Sequence, residues 1–246
     1  MYYLIAGKIP QRLYGQQWVV NNFMTVGIIL QAHMDSTRLP GKAMMPFGKV
    51  TLLEWIVSRV RNLPWDLVVA TSDRTIDEKI ADQSAELETL CFRGSDEDVL
   101  DRYYQCAKTH QFGHIIRLTG DNPFPDLEIL KDMVQLHLTM NADYTHSLGY
   151  LPVGIGSEII QFGALEKSWE LGEKAHHREH VNEYIIENKR NFKICKLAVN
   201  QSKTAPELRF TIDTIEDYKK MNKCRERIKS TCMNTEELIQ VCSSSV

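Results

Sequence analysis

The chain has 246 residues, 43% of them hydrophobic and 25% charged, with a net charge of −3. That is globular composition, long enough for one large α/β domain with a real core and a small appended lobe. Basic and acidic residues are interspersed: no Lys/Arg block marks a nucleic-acid partner and no basic amphipathic stretch marks a membrane surface, so an anionic substrate has to be held by local groups.

The leader, residues 1–23, has its apolar stretch cut at Gly7–Lys8 and lacks a small-residue cleavage site, so it does not read as a signal peptide. Met24 directly precedes the first strand; it is the expected natural start, with residues 1–23 an extension outside the core. Val26–Gln31 is a short apolar run of the buried, parallel-sheet kind. A polar loop, Ala32–Lys49, leads to a helix over Thr51–Leu63, where Leu52, Leu53, Ile56, Val57 and Val60 recur at helical spacing. Asp66–Thr71 is a second buried strand, Ile76–Leu87 a helix, Thr89–Phe92 a short strand and Asp96–His110 a helix. His114–Thr119 is a strand ending in Gly120–Asp121, and Asp126–Met140 is a helix. This alternation predicts a doubly wound, mostly parallel sheet, with ligands at the carboxyl ends of its strands. The stretch 143–190 is less regular, with a Pro/Gly loop (Leu151–Ser157), a helix near Gly163–Leu171 and a His-rich segment (Ala175–His180) leading into another helix. Phe192–Val199 and Leu208–Ile212 read as later strands, Glu216–Ile228 as a helix, and residues 231–246 as a C-terminal tail, frayed at Ser243–Ser245. No apolar run approaches the roughly 20 residues needed to span a bilayer. The six scattered cysteines form no CxxC pair and read as free thiols of a reducing cytosol, so a cytoplasmic location is expected.

Three segments carry the candidate chemistry. The first, LQAHMDSTRLPGK over Leu30–Lys42, follows a strand and joins hydroxyls (Ser36, Thr37) to cations (Arg38, Lys42), which is what a polyphosphate requires; a basic surface loop has the same composition. Neither a Walker A order nor GxGxxG is present. The second, RLTGDNP over Arg117–Pro123, sets Asp121 at a strand end beside a glycine, where it either makes a turn or aims a carboxylate at a phosphate-bound metal. In the third, LRFTIDT over Leu208–Thr214, Thr214 suits a helix N-cap and leaves Asp213 free. Two strand-end carboxylates meeting at one sheet edge would suit Mg²⁺.

Taken in order, QAHMDSTRLPGK, TSD, FRGSDEDVLDRYY, RLTGDNPF, REHVNEYI and LRFTIDT resemble the cytidylyltransferase family of CMP-acylneuraminate and CMP-KDO synthetases, nearest to the spore-coat polysaccharide (SpsF-type) subgroup, across about residues 25–225. The resemblance implies a Rossmann-like sheet of the nucleotide-diphospho-sugar transferase type within 24–230, with 143–190 as an acceptor and dimerisation lobe. It implies CTP as donor, Mg²⁺ as cofactor, a sugar or sugar-acid acceptor and a homodimer. Leu30, Gln31 and Ala32 would flank base and ribose; Ser36, Thr37, Arg38 and Lys42 would hold the triphosphate; Arg93, Gly94 and Ser95 would line the nucleotide pocket. Asp121 and Asp213 would ligate the metal, and Glu158, Arg178 and His180 would face the acceptor. The chain departs from the subgroup at His33, usually Arg, and at Val153 and Gly156, where many members carry acids.

The expected chemistry is attack of an acceptor oxygen on the α-phosphorus of CTP with loss of pyrophosphate, Arg38 and Lys42 stabilising the leaving group. A glycosyltransferase on a similar fold is the first rival, although GDNP at Asp121 lacks its DxD; a non-catalytic nucleotide-binding partner is the second. His176 and His180 have the i,i+4 spacing of a zinc pair but lack HExxH and a further ligand. Asp96–Asp101 reads as an acidic helix N-terminus, and Tyr103, Tyr104, Trp55, Trp65 and Trp169 as packing residues.

Overall fold

The computed structural model describes residues 25–228 and 230–243; the expected 1–23 extension, the Met24 start and the last residues of the tail lie outside them. In chain order, β1 (Val26–Gln31) is followed by a small hairpin, β2 (Pro46–Phe47) and β3 (Val50–Thr51), and by α1 (Leu52–Val60). Then come β4 (Asp66–Ser72), α2 (Glu78–Glu86), β5 (Leu90–Gly94), α3 (Val99–Thr109), β6 (His114–Thr119) and α4 (Leu127–Met140). The second half holds β7 (Tyr144–His146), β8 (Glu158–Gln161), α5 (Phe162–Leu171), α6 (Ala175–Glu179), α7 (Glu183–Glu187), β9 (Ile194–Lys196), α8 (Ile215–Arg227) and α9 (Thr235–Ser243).

The main sheet runs β5-β4-β1-β6-β8-β7-β9. The first four are parallel, β8 is antiparallel to β6 and to β7, and β9 is parallel to β7. Side chains alternate across a strand, so each central strand feeds two cores. Ile28 and Leu30 of β1 join Ile116 and Leu118 of β6 in one core with α1 and α4. Ile29, Val68, Ala70 and Ile115 face the other, with Tyr103, Tyr104 and Cys106 of α3 and Leu165 of α5. Ile28, Ile29 and Leu30 are fully buried, which is why a continuous apolar run announced β1. Tyr104 stacks on Trp169 with centroids 4.3 Å apart, and Trp55 is buried in the α1 core, so these aromatics pack.

The structure departs from the sequence reading in four places. Leu208–Ile212 is extended but belongs to no sheet; it lies along a loop, Phe210 N–H donating to the Val153 carbonyl at 2.8 Å and Ile212 N–H to the Asp121 carbonyl at 2.8 Å. Its buried Phe210 and Ile212 produce an apolar alternation that pattern alone cannot tell from a strand. The irregular 143–190 stretch supplies β7 and β8 to the main sheet. The 231–246 stretch includes α9, whose Leu238 is fully buried in the α1 core and whose Thr235 donates from both N–H and hydroxyl to Asp126, at 2.8 and 2.6 Å. The hairpin β2–β3 had no counterpart in the reading. Thr214 caps α8 in a capping box with Asp217, as its position before Glu216 and Asp217 foretold.

Candidate active site

The site forms at the carboxyl ends of β1, β4 and β6, where loops leave a parallel sheet. The long loop after β1 is held by Asp77, a 1% exposed residue in the turn before α2. One Asp77 oxygen accepts from Met34 N–H at 2.6 Å; the other accepts from the Ser72 hydroxyl at 2.5 Å and its N–H at 3.2 Å. The loop closes where Gly41, at φ 73°, donates to the Met34 carbonyl at 2.7 Å; the positive φ accounts for the glycine. Ser36, Thr37 and Arg38 are thereby presented on one rim of a cleft of about 650 Å³.

Lys42 turns inward from the same loop and is only 6% exposed. Its ammonium donates to Asp121 at 3.2 Å and to the Ile212 carbonyl at 2.9 Å, and lies 3.8 Å from Asp213. Asp213 also pairs with Arg38 at 2.7 Å and with Arg209. Asp121 and Asp213, 92 positions apart, are brought to one ammonium by the Ile212-to-Asp121 backbone bond. Burial pushes the Asp121 carboxyl up, but the Lys42 charge and the Thr119 hydroxyl at 2.6 Å outweigh it and hold the group below the usual carboxylate range. Burial and then Lys42 lower the His33 pKa, so its imidazole is neutral at pH 7 and adds no charge to the cleft.

A second hollow of about 240 Å³ shares Arg117 and Thr119 with the first. Arg117 and Glu158 are cross-strand partners of β6 and β8 and form an ion pair at 2.5 Å. The other Glu158 oxygen accepts from the Tyr144 hydroxyl and from Asn182 at 2.7 Å. Burial would lower the Arg117 pKa; Glu158 more than reverses this, and the guanidinium stays charged.

Of the residues singled out on sequence, Gln31, Ala32, Ser36, Thr37, Arg38, Lys42, Asp121, Asp213 and His180 line the main cleft, and Glu158 lines the second hollow. Leu30 is fully buried in the core behind the cleft. Arg93 clamps the end of β4, donating to the carbonyls of Asp73 at 3.0 Å and Arg74 at 2.9 Å. Gly94 and Ser95 are not among the lining residues, and Ser95 accepts from Asp98 N–H at 3.1 Å. Arg178 lines neither cavity; it pairs with Asp98 at 2.6 Å and donates to the Trp169 carbonyl at 2.8 Å. The His176/His180 pair does not converge: α6 ends at Glu179, His180 turns to the cleft, and His176 and His177 meet Glu187 at 2.8 and 3.0 Å, a carboxylate already paired with Lys174. The sequence reading missed Asp77, Arg74, Arg102, Tyr144 and Asn182, and gave Arg117 no role. Arg102, Arg117 and Asn182 stood inside the quoted motifs.

The chain matches the cytidylyltransferase family over residues 27–239. It is 39% identical over 197 residues to the spore coat polysaccharide biosynthesis protein SpsF of Bacillus subtilis, covering 77% of this chain and 82% of that protein. It superposes on a cytidylyltransferase structure from Leptospira borgpetersenii with a TM-score of 0.85 at 35% identity, covering 90% of this chain and 94% of the other. It shares its fold with a CMP:2-keto-3-deoxy-manno-octonic acid synthetase complexed with CTP, at a TM-score of 0.63 and 14% identity, covering 81% and 98% of the two chains. No helix among the described residues is long and apolar enough to cross a membrane.

Proposed function

The chain belongs to the cytidylyltransferase family, and we propose that it transfers CMP from CTP to a sugar or sugar-acid acceptor in surface polysaccharide biosynthesis. The observation that carries this is Lys42 drawn between Asp121 and Asp213 in a cleft whose rim offers Ser36, Thr37 and Arg38. Polysaccharide synthesis is supported by the Bacillus subtilis relative's name.

Two carboxylates facing one buried ammonium are hard oxygen donors in a place that accepts positive charge, so the residues fit Mg²⁺. Asp121 and Asp213 would hold it, and its contribution when bound is Lewis-acid polarisation of phosphate oxygens. The protein's own work is positional and electrostatic. Ser36, Thr37 and backbone N–H groups of the loop bind the triphosphate, and Arg38 and Lys42 offset the charge gathering on the leaving pyrophosphate. The acceptor, seated in the hollow of Arg117, Glu158 and Asn182, brings an oxygen to the α-phosphorus. The new P–O bond forms as the bond to the β-phosphate oxygen breaks, pyrophosphate leaves with the electron pair, and the acceptor proton passes to solvent. A homodimer belongs to the same proposal: Leu148, Tyr150, Val153, Leu171 and Ile186 are exposed large hydrophobics of the 143–190 stretch, and light scattering should give twice the chain mass.

Pyrophosphate release from CTP with Mg²⁺, assayed over a panel of sugar acids, sugar phosphates and phosphonates, tests the reading. Acceptor-dependent release is expected. Turnover of a nucleotide sugar with no release from any nucleoside triphosphate would sink it.

A further inference from the structure

We infer that Arg102 and Gln31 read the base of the bound nucleotide on the β5 side of the cleft, taking cytosine by its ring acceptors and its exocyclic amine. The inference rests on the cytidylyltransferase reading and deepens it.

Arg102 lines the cleft yet is only 2% exposed. Its Nε and Nη1 have no hydrogen-bond partner. A guanidinium buried with idle donors is costly, and such a group persists where a ligand supplies what the protein withholds. The arginine stem packs on Gly94 at the end of β5, where a Cβ would stand 2.9 Å from the Phe92 ring and 3.2 Å from Arg102 Cγ. Gln31, the last residue of β1, lines the same cleft, and its Oε1 is likewise buried without a partner. The cleft thus keeps idle buried donors on Arg102 and an idle buried acceptor on the half-buried Gln31.

Position and charge select a base over a phosphate. Asp121, which holds the Lys42 ammonium, lies just past the end of β6, whereas the Arg102 stem packs at the end of β5, with β4 and β1 between. A nucleotide lying across the carboxyl ends of these strands meets Lys42 with its phosphates and Arg102 with its base. The Arg102 end holds more acid than base: Asp73, Asp77 and Asp96 all act on its guanidinium, Asp35 and Glu97 also line the cleft, and Arg74, paired with Asp35 and Asp96, offsets only part of that charge. Those carboxylates repel a polyanion and tolerate a neutral ring. A phosphate, moreover, has no hydrogen for Gln31 Oε1. Cytosine presents a ring nitrogen and a carbonyl to Arg102 and an amine to Gln31. Uracil carries a hydrogen on the ring nitrogen, which would face the guanidinium donor to donor, and a second carbonyl in place of the amine.

The test compares Arg102→Met, Arg102→Lys and Gln31→Leu with the wild type in Mg²⁺, by thermal shift with CTP and UTP and by competition between them. Wild type should prefer CTP by at least about tenfold. Arg102→Met keeps the packed stem and should fold, while the CTP-induced shift collapses and the CTP:UTP preference falls to about one. Arg102→Lys keeps the charge but loses the two-donor edge, and should lose the preference as well. Gln31→Leu should shrink the CTP-induced shift, because the amine loses its acceptor. An Arg102→Met variant that melts lower yet keeps its CTP:UTP preference, or failure of both Arg102 variants to fold, makes the residue structural and overturns the inference while leaving the proposed function standing. Wild type stabilised by no nucleotide, with no pyrophosphate release, removes the proposed function and this inference with it.

Discussion

Lys42→Met isolates the electrostatics of the site. The substitution keeps the stem and removes the ammonium that lies 3.2 Å from Asp121 and 3.8 Å from Asp213. Breaking a buried ion pair from one side costs about 3–5 kcal/mol. Asp121 keeps 30% of its side-chain surface open to the cleft, so water offsets part of that loss and about 2–3 kcal/mol is expected. For a chain of this size that lowers Tm by about 4–12 °C. The sign with pH follows from Asp121. Its carboxyl is held low in the fold, so it contributes stability at neutral pH that is lost as pH falls through the carboxylate range. In the variant the opposing push of burial remains without Lys42, so the deficit against wild type should be largest near pH 7 and close in acid. Mg²⁺ should raise the variant's Tm more than the wild type's, because no ammonium competes for the carboxylates; a hundredfold excess over Kd is worth about 2.7 kcal/mol. Scanning fluorimetry of both proteins at several pH values, with and without MgCl₂, reads all three. A variant whose Tm stays within about 2 °C of wild type and ignores Mg²⁺ would refute the assignment of Lys42 as the counter-ion of this carboxylate pair.

Asp121→Asn should leave the fold intact and cut kcat for pyrophosphate release at least about a hundredfold; undiminished turnover would remove Asp121 from the metal site. His137, 1% exposed and bonded to His114 at 3.0 Å and Thr145 at 2.8 Å, has its pKa lowered to about 4 by burial and then by His114. The unfolded chain binds that proton first, so stability should fall with pH from about 6.5 toward 4, by about 3 kcal/mol at most; urea midpoints should show His137→Gln flattening the slope, and an unaltered slope would place the acid lability elsewhere. Truncation after Ser230 removes Leu238 and Cys242 from the core and Thr235 from Asp126, and should destabilise by several kcal/mol, about 2–5 for the leucine alone, whereas a frayed tail would leave the urea midpoint unchanged.

The legible part of the molecule is the part decided locally. β1 and β6 are continuous apolar runs buried on both faces, and the structure returns Val26–Gln31 and His114–Thr119 with the bounds read from sequence. The α8 cap was equally plain, because Thr214 and Asp217 satisfy each other within four residues. What stayed hidden depends on distant partners. Glu158 faces Arg117 only through the antiparallel register of β8 on β6, and three-residue β7 is too short to show a period. Asp77 reads as a helix-start acid, yet its work is to hold Met34, 43 positions earlier.

The segment FRGSDEDVLDRYY shows where a signal existed and was passed over. Arg93, its second residue, is expected from the resemblance to line the nucleotide pocket with Gly94 and Ser95, but a strand-end arginine with free carbonyls beside it is satisfied by backbone, and Arg93 binds those of β4 and the turn after it. Arg102 stands near the end of the motif, on α3. It falls three residues after Val99 and four before Cys106, both buried, so it occupies the apolar stripe of that helix. A charge in an apolar stripe is a local contradiction, and such contradictions collect at functional sites because folding alone does not repay them. Read that way, helical periodicity singles out Arg102 among the arginines of the motif, and the structure adds what periodicity cannot: its donors are idle and it lines the cleft.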